Sequence, residues 1–108
     1  MCDNIHLDLS EGKRRLLAAV QKQAAIIPVV QSAMDAAEER MMIIREKLQQ
    51  EREWRELASS QQVREELDQL IADRERILQE AKGLYQEYVV MLVNLQQHVA
   101  DAKKEMGL

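Results

Sequence analysis

The chain has 108 residues, room for one domain, with 19 acidic against 15 basic side chains and a net charge of −4. That balance, with Lys and Arg interleaved among acids, argues against a nucleic-acid binder, whose phosphate affinity needs clustered cations. One Trp, two Tyr and no Phe make a compact mixed core a poor fit, and three glycines with one proline leave little turn chemistry for a sheet. High Ala, Glu, Gln, Leu, Arg and Met content is the signature of long helices.

Residues 1–9 are not helical in pattern. Ile5, Leu7 and Leu9 alternate with His6 and Asp8, a period of two that suits an extended or disordered N-terminal arm. Ser10 follows as an N-cap, with Glu11 suited to the positive end of a helix. Residues 10–108 then read as a single helical hairpin, with helix 1 at about 11–57 and helix 2 at about 60–106.

In helix 1 one apolar row is Val20, Ile27, Met34, Met41 and Leu48. The other is Leu16, Gln23, Val30, Ala37 and Ile44. Steps of three and four set the two rows side by side. Gln23 is the one polar slot, either a buried register device or a residue near solvent. Pro28 lies inside the pattern and lacks the N–H that a helix interior needs. Either helix 1 kinks there, or it ends near Ile26 and restarts. Ile27 is no cap residue, so a kink at Pro28 is expected.

From Arg45 to Glu56 charges alternate, and Glu51–Arg55 and Arg52–Glu56 have the spacing of pairs along one helix. Trp54 stands among them, either a hot spot for a partner or a side chain folded back on Leu57 and Ala58. Ser59 and Gln62 have capping-box spacing. The apolar phase changes across Ser59–Ser60, which places the corner there. One continuous rod is the alternative.

Helix 2 carries three rows: Val63, Leu70, Ile77, Leu84, Met91; Ile71, Leu78, Tyr85, Leu92, Val99, Met106; and Leu67, Arg74, Ala81, Tyr88, Leu95, Ala102. Two rows serve a two-stranded seam, whereas three suit a helix with more than one neighbour. Tyr88 to Val93 is apolar or aromatic throughout, as in a helix covered on all sides. Lys103, Lys104 and Gly107 suit a helix C-terminus.

The fold class expected is therefore all-α: two long helices in an antiparallel hairpin or coiled coil, kinked at Pro28, completing a bundle with other chains. Folding at Ser59 sets Leu48 opposite Leu70, brings Ile44 near Arg74, and levels Ile26–Val30 with Tyr88–Leu92. The residues expected to bind partners are Ile26, Ile27, Val30, Met34, Met41, Ile44, Trp54, Tyr85, Tyr88, Val89, Met91, Leu92, Leu95 and Val99.

No catalytic, cofactor or metal site is expected, and the chain does not read as an enzyme. Cys2 and His6 are two ligands on a loose terminus, a poor metal site. His98 and Asp101 read as a surface pair rather than a general base, because no nucleophile accompanies them. The glycines, at positions 12, 83 and 107, form no phosphate loop.

No apolar run approaches the ~20 residues of a membrane span, and neither a signal peptide nor a myristoylation pattern is present. The lone Cys2 makes no internal disulfide, which fits a cytoplasmic or other reducing compartment. The expected function is that of a non-catalytic structural or scaffold subunit of an intracellular assembly of cytoskeletal, kinetochore or trafficking type. Its partners are other helical subunits or a second copy. A self-contained homodimeric four-helix-bundle adaptor is the alternative.

Overall fold

A computed structural model describes the backbone of residues 2–107 and the side chains of 11–107. Two helices, α1 (Cys2–Leu57) and α2 (Gln61–Glu105), pack against each other as a hairpin. The single rod is thereby excluded, and the corner lies where the apolar phase changes. α1 begins at Cys2, in the stretch expected to be an arm. After Cys2 no Pro or Gly precedes Gly12 to stop a helix propagating toward the terminus. The side chains of the expected arm, Cys2 and His6 among them, and of Ser10 lie outside the described residues.

α1 runs through Pro28 without a break, so the end-and-restart alternative does not apply. Proline offers no N–H to the Ala24 carbonyl, and the helix carries that missing bond in its interior.

The chain divides into two compact units. Unit 1 comprises Met1–Ser32 and Val89–Leu108, and unit 2 comprises Ala33–Tyr88. Each sets a segment of α1 against a segment of α2. In unit 2 the α1 side of the seam is Met34, Ala37, Met41, Ile44, Leu48 and Glu51, all buried or half-buried. The α2 side is Leu67, Ile71, Arg74, Leu78, Ala81, Tyr85 and Tyr88, all half-buried. In unit 1, Val20, Val30 and Val99 are buried, with Ile27, Leu92, Leu95, Ala102 and Met106 half-buried beside them. Both helices thus use the three-and-four spacing of a coiled-coil seam. Of the three rows on α2, two face inward. In the remaining row Val63, Leu70, Leu84 and Met91 are exposed. Gln23 is exposed, so the polar slot of α1 sits in water.

The register differs from the expected one. Glu51, not Ile44, meets Arg74, a displacement of one heptad along α1. Leu48 is 3% exposed and sits in the seam, whereas Leu70 is 39% exposed and belongs to the outer row. The charged stretch explains the choice. Glu51, Arg52 and Arg55 do not pair along α1 as their spacing suggested. They cross the hairpin to Arg74, Glu75 and Asp68.

The corner is Ala58–Ser60. The Ser60 carbonyl accepts the Arg64 N–H at 3.1 Å, and the Ser60 hydroxyl accepts from the Val63 N–H at 3.5 Å. Ser60 rather than Ser59 is therefore the N-cap of α2. The Arg64 guanidinium reaches back and donates to the Ala58 carbonyl at 2.9 Å. That bond satisfies a carbonyl at the end of α1 without a Gly or Pro. At the far end Gly107 has φ 74° and its N–H meets the Lys104 carbonyl at 3.1 Å. This left-handed cap is the role expected of it.

Candidate interaction surfaces

A heptad seam has two flanks, and in unit 2 they differ in chemistry. On one flank Arg45, Arg52, Glu75 and Lys82 line an open, polar groove. Arg52 donates to Glu75 at 2.9 Å there. On the other flank Ala33, Ala36, Arg40, Leu84 and Tyr88 line a mainly apolar groove of about 270 Å³. Ile43, Trp54 and Leu57 of α1 and Val63 and Leu70 of α2 are exposed. Their positions in the heptad put them on that second flank. Trp54 is half exposed and Leu57 is open to water.

Besides Arg52–Glu75, two further ion pairs join α1 to α2 in unit 2. Glu51 and Arg74 meet inside the seam, with side chains 4% and 29% exposed. The Oε2 of Glu51 has no hydrogen-bond partner. Nearer the corner Arg55 grips both oxygens of Asp68, its Nη2 lying 3.4 Å from Oδ2. That hydrogen bond, and then the charge of Asp68, hold the guanidinium above its ordinary pKa.

Tyr85 donates to the Glu38 carboxylate at 2.8 Å. This bond raises the phenol above its ordinary pKa, with burial and the charges of Glu38 and Asp35 adding to it. A proton held more tightly in the folded state stabilises the hairpin below the ordinary phenol range. The contribution is lost as pH rises through the raised value. Glu38→Gln is expected to move the phenolate absorbance titration to lower pH. An unchanged curve would show that the carboxylate does not hold the proton.

The expected partner-binding residues fall into two sets. Val30, Met41, Ile44 and Val99 are buried in the hairpin's own core. Ile27, Met34, Tyr85, Tyr88, Val89, Leu92 and Leu95 are half-buried along it. Ile26, Trp54 and Met91 remain exposed. Val29, Met42, Ile43, Val90 and Val93, from the apolar runs around Pro28, Met41–Ile44 and Tyr88–Val93 but not among the residues expected to bind partners, are all exposed. In unit 1 the widest openings on α2 are Val90 at 58% and Val93 at 56%. They sit inside an all-apolar run but belong to none of the three heptad rows of α2, which is why they face out while Tyr88 and Leu92 face α1.

Asp101 accepts from Gln97 at 2.8 Å, and among the described residues His98 makes no bond to it. No group of three or more His, Cys, Asp or Glu is placed to hold a metal among the described residues. No helix there is long and apolar enough to cross a membrane. Comparison with known families, curated proteins and solved structures finds no match to this chain.

Proposed function

We propose that the chain is a non-catalytic structural subunit of a larger assembly, of cytoskeletal, kinetochore or trafficking type, acting through helix packing in a reducing compartment. The observation that carries this reading is the apolar surface left open in unit 1: Val90 and Val93 on α2, Ile26 and Val29 on α1. These four β-branched residues are 45–66% exposed, and they lower helix propensity. Covering the part of each still exposed stabilises by roughly 1 kcal/mol, so helices of other subunits are the natural cover. The alternative, a self-contained homodimeric adaptor, places a second copy on the same residues.

A photocrosslinking amino acid at Val90 or Val93, in cells that naturally make the protein, separates the two. The expected result is a discrete adduct with a different polypeptide, absent when the probe stands at exposed Gln69. Adducts of the chain with itself alone would replace this reading with the homodimer, and no adduct at either site would remove both.

A further inference from the structure

We infer that the apolar flank of unit 2 binds a second copy of this chain, about a two-fold axis running along the hairpin, so that α1 of each copy lies against α2 of the other. This rests on unit 2 alone and not on the partners proposed for unit 1.

The first support is area. On this flank Ile43, Trp54 and Leu57 of α1 and Val63, Leu70 and Leu84 of α2 are all exposed, apolar surface that a second copy takes out of water.

The second support is charge, which chooses the occupant and its orientation. On the α1 edge of the flank, Arg40, Lys47 and Trp54 recur every seventh residue. On the α2 edge, Glu66, Asp73, Glu80 and Glu87 do the same, just outside the apolar row of Leu70, Ile77 and Leu84. One edge is basic and the other acidic. Among the described residues no ion pair involves Arg40 or Lys47, although Arg40 and Glu80 line one shallow groove with Ile77 and Leu84.

Levels follow from the ion pair Arg52–Glu75. Stepping equally back along α1 and forward along α2 puts Lys47 level with Glu80 and Arg40 level with Glu87. A two-fold axis along the hairpin keeps both corners at one end and preserves these levels between copies. Lys47 then meets Glu80 of the second copy, and Arg40 meets its Glu87, while the Leu70, Ile77 and Leu84 rows close on each other. The long basic side chains lay their stems on the apolar floor and reach the carboxylates at the rim. An axis perpendicular to the hairpin would instead set basic edge on basic edge and acidic on acidic, which like-charge repulsion opposes.

The test uses the full chain and its absolute mass by light scattering over a concentration series. The wild-type chain is expected at twice 12.5 kDa. R40E/K47E and E80K/E87K, each helical by circular dichroism, are each expected to associate more weakly by on the order of tenfold or more. An equal mixture of the two is expected to restore the dimer, with native mass spectrometry reading one chain of each. A monomeric wild type, variants that dimerise as well as wild type, or a mixture that forms no mixed dimer would each overturn the inference. Loss of this dimer leaves the Val93 adducts of the preceding test intact, so the two readings fail separately.

Discussion

Arg74→Leu is expected to destabilise the hairpin by about 3 kcal/mol, and Glu51→Leu with Arg74→Leu to return it to within about 1 kcal/mol of wild type or above. The asymmetry comes from burial. The Glu51 side chain is 4% exposed and has one oxygen already without a partner. Removing Arg74 leaves a carboxylate in the seam with nothing to offset its lost hydration. Removing both charges leaves two leucines where a coiled-coil seam accepts them. Urea unfolding at fixed chain concentration reads both changes, since any self-association links stability to concentration. The lower end of the usual range for a broken buried pair is appropriate because Arg74 is 29% exposed and water reaches its side of the pair. A double variant as unstable as the single one would mean that the pair stabilises the fold beyond its own desolvation.

The same pair marks where the sequence stopped being informative. The two helices beyond residue 10, the corner and the inward rows of α1 were legible because apolar residues at three-and-four spacing admit one face, whereas the helical start at Cys2 and the choice of two inward rows among three on α2 were not. Register was not, because sliding α1 by a heptad puts the same kinds of residue back on that face. Leu48 against Leu70 and Leu48 in its observed place satisfy periodicity equally. The tie is broken by charge. Glu51 continues the row of Val30, Ala37 and Ile44, and Arg74 interrupts a row of apolar residues on α2. Two opposite charges in otherwise apolar rows could have been matched directly, and they would have given the observed register. Spacing within α1 obscured this, because Glu51–Arg55 and Arg52–Glu56 also satisfy the rule for pairs along one helix. Cross-helix partners took Glu51, Arg52 and Arg55 instead. The exposed candidates failed for a related reason. In the run from Tyr88 to Val93 every position is apolar or aromatic, and that even hydrophobicity masked what the rows carried in from either side already distinguish: Leu92 lies in a row and is half-buried, whereas Val90 and Val93 lie in none and are open.

Pro28→Ala is expected to stabilise the chain by about 2 kcal/mol. An interior proline costs a helix ~3 kcal/mol through the lost hydrogen bond and the clash with the preceding turn. The freer unfolded chain of the alanine variant takes back roughly 0.4–1 kcal/mol. Pro28 is itself exposed and α1 continues through it, so alanine meets no packing obstacle there. The proline gives α1 no N–H donor, and its exposed ring offsets little of that cost. Local rules are broken in this way where another requirement competes with stability, and Pro28 stands between exposed Ile26 and exposed Val29. Under the proposed function that requirement is the shape α1 presents to a partner helix. The variant should therefore raise the urea midpoint and at the same time weaken photoadduct formation at Val90 and Val93. A raised midpoint with unchanged adducts would make Pro28 a tolerated cost with no part in docking. An unchanged or lowered midpoint would mean that Ile27 and Val30 pack as they do because of the proline, and that the backbone around it belongs to the stable form of the hairpin.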